Sequence, residues 1–312
     1  MPPPELFLPA PQLPRVAALL RVLVEDFEVL ELLAPTAPFS GAHRWLQIRK
    51  TGISTPAAAR RIAALLGCEV RDIGYAGLKD ERSVSEQWFS VPAPEEVQLS
   101  FPAAADLILL QQVSQPRKLR RGTHQGNRFR LRLKKVSDRI KIPSEWTFPN
   151  YFGARRFGVD NVERAEDWLR HRRKRRISPF KQGIYLSVLR SLLFNDVIAA
   201  RVRAGNWVSV LPGDVVDDQG LPTGPLWGRG RSATQGEAAE LESNALQHHR
   251  EICEGLEFAG LDQARRGLVG IARDVVSEWL PNELRLEFTL AKGCYATVAL
   301  AMLFDVCDAA DR

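Results

Sequence analysis

Two stretches of the chain alternate apolar and polar residues at every second position. Residues 127–134 set Phe129, Leu131 and Leu133 on one face and Arg128, Arg130, Arg132 and Lys134 on the other, and residues 284–290 repeat the pattern. A period of two is the signature of a strand with one buried and one wet face. Shorter apolar runs at 70–75, 87–91 and 107–113 read as further strands. Helical signals lie elsewhere. Ser54, Thr55 and Pro56 precede residues 57–66 and Gly67, giving an N-cap, a proline in the first turn, strong helix formers and a terminating glycine. Residues 186–203, 236–256 and 295–306 are the other predicted helices, and regular structure should begin near Val16, after a proline-rich opening to Pro14. The pattern predicts an α+β fold: a mixed, largely antiparallel sheet built from both ends of the chain, with an α-rich insertion. The expected segments are 1–154 and 279–312 for the sheet domain and 155–278 for the insertion, with a cleft between them for a ligand.

Composition narrows the class. At 312 residues and 45% hydrophobic content the chain can bury a sizeable core. The longest nearly unbroken apolar run, 295–304, is about half of the roughly 20 residues that cross a bilayer, so no membrane span is predicted. No basic region precedes an apolar segment at the N-terminus, which points to a cytoplasmic protein. The four cysteines are widely spaced without C-x-x-C pairs, and adjacent His248 and His249 read as a solvent-exposed pair, so no metal centre is expected. Charge adds a partner class. The net charge is +6, and residues 117–135 hold nine Lys or Arg without an acid, as residues 170–181 hold seven. Such blocks suit the phosphates of a nucleic acid, although a merely solvated basic surface has the same composition.

The segment Gly74-Tyr75-Ala76-Gly77-Leu78-Lys79-Asp80-Glu81-Arg82, leading to Gln87-Trp88, is unusual for a plain turn because two glycines allow close approach of a ligand beside a Lys-Asp pair. It resembles the G-x-x-G-x-K-D signature of the TruD family of tRNA pseudouridine synthases, with Asp80 at the catalytic position. Further blocks resemble that family in the same order: 25–29 (EDFEV), 126–129 (GNRF), 149–158 (PNYFGARRFG), Leu186 with 190–195, Gly213-Asp214 and 293–297. The matches run from about residue 20 to 300. The chain departs from the family pattern at Val24, Thr147, Arg155, Ala291, and Ala301-Met302, which replaces a charged pair.

The resemblance implies a pseudouridine-synthase-like fold with a TruD-type insertion, tRNA as partner, and conversion of a uridine, usually at position 13, to pseudouridine. Moving uracil from N1 to C5 attachment breaks one glycosidic bond and forms a C–C bond without redox change or group donor, so no cofactor is expected. Asp80 could attack C1′ or take the 2′ proton; both need the ionised carboxylate, which a neighbouring cation favours. Arg21 is the candidate cation. Phe129 would stack on the flipped uracil and Asn127 hold its edge or the backbone, although alternation alone makes Phe129 a core residue. Lys79 and Glu25 complete the expected substrate set. Arg117, Lys118, Arg120, Arg121, Arg128, Arg155, Arg156 and Arg173 are the expected RNA contacts, with no obligate protein partner. Two other classes share these residues: an RNA-binding protein of the same fold without turnover, and a metal-dependent nuclease using Glu25, Asp26 and Asp80.

Overall fold

The computed structural model describes residues 8–9, 15–36, 40–93, 98–100, 105–158, 160–172 and 176–309. In chain order the elements are β1 (Val16–Leu20), β2 (Phe27–Leu32), β3 (His43–Thr51), α1 (Thr55–Leu66), β4 (Gly74–Tyr75), β5 (Val84–Pro92), β6 (Leu107–Gln115), β7 (Gly126–Lys134) and β8 (Trp146–Pro149). They continue with α2 (Asn161–His171), α3 (Pro179–Arg203), β9 (Thr223–Leu226), α4 (Gly236–Leu246), α5 (Arg250–Phe258), β10 (Ala264–Gly267), β11 (Val269–Trp279), β12 (Glu283–Ala291), α6 (Ala296–Leu300) and β13 (Phe304–Asp308). The chain divides into two compact units. One contains 16–146, 272–293 and 304–312, the other 1–15, 147–271 and 294–303.

The first unit is a sheet with strand order β6-β3-β5-β2-β7-β12-β11. Neighbours are antiparallel except β2 with β5, and β1 with β13 at the side of β7. Helix α1 forms where the sequence placed it, because its signals are local. Ser54 Oγ accepts the Ala57 amide, and Gly67 closes the helix in a left-handed conformation at φ 64°. Its alanines let the helix lie close on Leu46, Ile48, Phe89 and Val91, forming one core with Ile62 fully buried. On β7, Phe129, Leu131 and Leu133 are buried and Arg130 and Arg132 exposed, as alternation requires.

The wet face of β7 corrects one expectation. Register sets Glu28 and Glu287 on either side of Arg130. Arg130 Nε is 2.9 Å from Glu287, and Arg128 is 3.5 Å from the same carboxylate. The neighbouring strands supply the acids that β7 lacks, so this face carries mixed charge and not an unbroken row of cations.

In the second unit α3 is the central helix, packed against α2, α4, α5 and β9. It is long and apolar enough to cross a membrane, which the sequence reading did not foresee, yet 61% of its apolar window is buried inside the protein. Buried Arg201 on α3 donates to Asp214 at 2.6 Å, and Asp214 accepts the Leu211 amide. Within the 149–158 block Tyr151 and Phe152 are buried, and Asn195 of α3 clamps Phe152 by bonding both its N–H and its C=O at 2.9 Å. Arg190 donates to the carbonyls of Leu226 and Asp262.

Three predicted elements differ. Residues 295–306 are not one helix: α6 ends at Leu300, a turn follows, and β13 takes the rest, because pairing with β1 needs an extended chain. Residues 236–256 break into α4 and α5 around a short turn at 247–249. Residues 70–75 form a 3₁₀ turn before the short β4.

Candidate active site

The buried face of the first unit's sheet contains a polar strip. On β3, Lys50 falls in phase with Leu46 and Ile48, and register sets it opposite Ser85 of β5, with Gln87 opposite Ile48. On β2, Glu31 is in phase with Phe27 and Val29 and lies opposite Asn127. Lys50, Ser85 and Gln87 have no exposed surface, and Glu31 almost none. Buried polar groups need partners, and segment 76–83 supplies them. Gln87 Nε2 donates to the Gly77 carbonyl at 2.6 Å, and Thr55 Oγ1 accepts the Lys79 amide while donating to Gln87. Lys79 Nζ reaches Glu31 at 2.7 Å, and the other oxygen of Glu31 accepts the Trp88 amide. Lys50 Nζ donates to the carbonyls of Ile53 and Asp80 at 2.7 and 3.2 Å and to Ser85 Oγ at 3.4 Å. Ser83 Oγ donates to the same Asp80 carbonyl at 2.8 Å. Burial, reinforced by Lys79, pulls the Lys50 ammonium down to about 8, against the attraction of Asp80 and Glu81.

With its backbone fixed from below, Asp80 presents its side chain outward, 41% exposed. Arg21 meets it there. Its Nη2 is 3.0 Å from Asp80 Oδ2, its Nη1 donates to Asp308, and its guanidinium lies 3.8 Å from the centre of the Phe27 ring. Arg21 is 2% exposed and adopts a left-handed backbone at φ 57°, where a residue with a side chain costs on the order of 1–3 kcal/mol. The conformation ends β1 and turns the arginine out of the strand's alternation toward Asp80.

The other expected residues fall in different places. Asn127 and Phe129 share the face of Glu31 and Phe27. Among the described residues Asn127 Oδ1 is buried without a hydrogen-bond partner. Phe129 is 6% exposed between Phe27 and Phe288, at 5.9 and 5.6 Å between ring centres, so its ring is packed as alternation alone would have it. Lys79 is turned to Glu31 and away from Asp80, because its amide is bound to Thr55 and its ammonium is needed to neutralise a buried acid. Glu25 is exposed and lines a depression with Glu28 and Arg130 on the opposite face. The buried acid of that block is Asp26, which accepts the Leu23 amide and lies 3.2 Å from Lys134. Among the described residues no three His, Cys, Asp or Glu side chains gather as ion ligands, so Glu25, Asp26 and Asp80 are not a cluster.

The basic loop 116–125 wraps directly around the Asp80 segment. Gly122 N donates to the Ala76 carbonyl at 2.7 Å, and Leu119 N to Ser90. This contact favours glycine at both positions: a Cβ on Gly74 would lie 2.5 Å from the Leu119 carbonyl, and one on Gly77 3.1 Å from His124. Burial, and then Lys79, lower the His124 pKa. Arg117, Arg120 and Arg121 of the loop are exposed; Lys118 is partly buried and donates to the Arg71 carbonyl. Arg155 is exposed and Arg156 bonds Ser187 and Ser191; both belong to the other unit. Arg173 and most of the proline-rich opening lie outside the described residues. Sequence reasoning missed Lys50, Glu31 and Asp308. For the first two a signal exists: each is a charged residue in phase with the apolar positions of its strand.

Comparison with known proteins follows the same residues. The family model described as tRNA pseudouridine synthase D (TruD) matches residues 10–165. A protein named tRNA pseudouridine synthase D from Pseudomonas putida (strain W619) is 37% identical, covering 94% of this chain and 93% of its own. One of the same name from Nitrosococcus oceani is 36% identical over 92% and 90%. A solved structure from Methanosarcina mazei, described as a putative tRNA pseudouridine synthase D (TruD), covers 96% of both chains with a TM-score of 0.65; at 18% identity it speaks for the fold.

Proposed function

The chain belongs to the tRNA pseudouridine synthase D family, and from that premise we propose that it converts a uridine of tRNA to pseudouridine through the carboxylate of Asp80. The observation that carries this reading is the Asp80 side chain itself, exposed and bonded to buried Arg21 while its own carbonyl is held by Lys50 and Ser83. The substrate is a uridine taken out of its stack, at a cost of a few kcal/mol offset inside the pocket. The N1–C1′ bond breaks, the uracil turns, C5 bonds to C1′, and the proton lost from C5 is balanced by one gained at N1. Asp80 acts either as nucleophile at C1′ or as base toward the 2′ proton. Arg21 orients the carboxylate through its 3.0 Å contact. Asn127 Oδ1, a buried acceptor without a donor among the described residues, fits the N3–H of the turned-out uracil. Phe129 supports the pocket from below through Phe27, and the loop cations Arg117, Lys118, Arg120 and Arg121 hold the RNA backbone. Resemblance suggests the family's usual uridine at position 13.

The test is pseudouridine formation in unmodified tRNA transcripts, in EDTA and without added cofactor. The natural chain is expected to form it, and Asp80→Asn to abolish formation while binding RNA with unchanged affinity. Salt-sensitive binding without product from the natural chain would favour an RNA-binding protein of this fold.

A further inference from the structure

Helix α1, the 70–75 segment and the 118–121 loop enclose a groove of about 370 Å³. Arg60, Arg71, Lys118 and Arg121 line it together with Tyr75, and no Asp or Glu is among its lining residues. Its floor is apolar, formed by Ala59, Ile73 and Leu119. The Arg121 guanidinium lies 5.6 Å from the centre of the Tyr75 ring and donates to its hydroxyl at 3.3 Å. The ring's edge packs on Phe89 of the sheet, which fixes its orientation. The pair Arg71–Glu69 at 3.5 Å is solvated on both sides and holds Arg71 weakly.

We propose that this groove is a second nucleotide subsite, which takes the base and phosphate of an unpaired nucleotide next to the target uridine in the RNA; the proposal rests on the RNA-modifying reading above. Three observations set the ligand class. The volume is at the lower end of small-molecule pockets, enough for one nucleotide and too small for a base pair. An aromatic ring with an arginine over it accepts the face of a base, and a base within a helix has both faces covered by its neighbours. Arg60, Arg121 and the weakly paired Arg71, with Lys118 beside them, suit a phosphate. Position sets the rest. Tyr75 is five residues before Asp80, so the chain between them spans at most ~18 Å, and the nucleotide bound here is near the target in the RNA.

The experiment compares tRNA binding and turnover for Tyr75→Leu, Tyr75→Phe and the double variant Arg60→Ser/Arg71→Ser. Affinities are measured on the Asp80→Asn background, so they decide the matter even if the natural chain modifies no transcript. Tyr75→Leu is expected to weaken binding about tenfold through lost stacking, raising KM with kcat within about twofold, while Tyr75→Phe keeps the natural affinity. The double variant should flatten the slope of log affinity against log salt by about 0.7 per lost phosphate contact, and Tyr75→Leu should leave that slope alone. A short oligouridylate should compete with tRNA for the natural groove and lose that competition in Tyr75→Leu. Unchanged affinity in a Tyr75→Leu protein of natural Tm, or an unchanged salt slope in the exposed double-arginine variant, overturns the proposal.

Discussion

Lys50 has no exposed surface, and its three N–H donors meet three acceptors: two carbonyls and a hydroxyl. Its pKa lies near 8, below the ordinary 10.5, so stability and activity should respond to pH in opposite directions. Between about pH 8 and 10.5 the unfolded chain holds a proton that the native chain has released. Stability contributed by this site therefore rises with pH across that window, by up to about 3 kcal/mol. Turnover should fall across the lower part of the same window, since a neutral amine has two donors for three acceptors and loosens the Asp80 carbonyl. Other groups titrate there too, so the measurement is a difference: urea unfolding and kcat of the natural chain against Lys50→Met, from pH 7 to 10.5. Lys50→Met should start with a lower kcat, little change in tRNA affinity, and a flatter pH response. Parallel pH curves for the two proteins would show that Lys50 does not titrate. The residue was open to discovery in the sequence, because a lysine two positions beyond Ile48 on an alternating strand must face the core. Asp308 was not, since only the pairing of β13 with β1 brings it to Arg21.

The turn between α4 and α5 carries a smaller switch. His249 Nε2 is 2.8 Å from Asp196 of α3, and that contact corrects the expectation of a solvent-exposed histidine pair; His248 alone is exposed. The Asp196 hydrogen bond raises the His249 pKa, against partial burial. Its stabilisation is thus complete below the ordinary histidine value and lost as pH rises through the raised one. His249→Ala should cost about 1 kcal/mol near pH 5.5 and much less near pH 8.5, read as a Tm difference that closes with pH. Equal differences at the two pH values would mean that the ring acts by packing alone. Elements differ in how far the chain announces them. Helix α1 and strand β7 were legible because their caps and alternation are local. Strand β11 escaped notice because a bulge between Arg273 and Val276, with Asp274 at φ 54°, breaks its alternation. The apolar run 295–306 suits a helix and a strand equally, and the partner strand 288 residues upstream decides it.

At the scale of the molecule, the net charge of +6 says little until each cation is matched with its neighbours. The acid-free block 117–135 separates into two parts. Its strand portion meets Glu28, Asp26 and Glu287 across the sheet, whereas in its loop portion Arg117, Arg120 and Arg121 are exposed beside the Asp80 segment and Lys118 is partly buried. Neutral cross-strand pairs release few counterions on meeting RNA, because the protein has already provided the counter-charge. The salt dependence of tRNA affinity should therefore follow the loop and the groove beside it. Four loop cations with Arg60 and Arg71 of the groove give a slope of about −4 in log affinity against log salt. Arg120→Ser/Arg121→Ser should reduce its magnitude by roughly 1.5, while Arg130→Ser leaves it unchanged, since Glu287 balances Arg130 in the free protein. Filter-binding titrations of the Asp80→Asn protein at several salt concentrations separate the two groups without interference from turnover. If Arg130→Ser flattened the slope as much as the loop variant, RNA would be displacing the cross-strand acids, and the wet face of β7 would join the RNA interface after all.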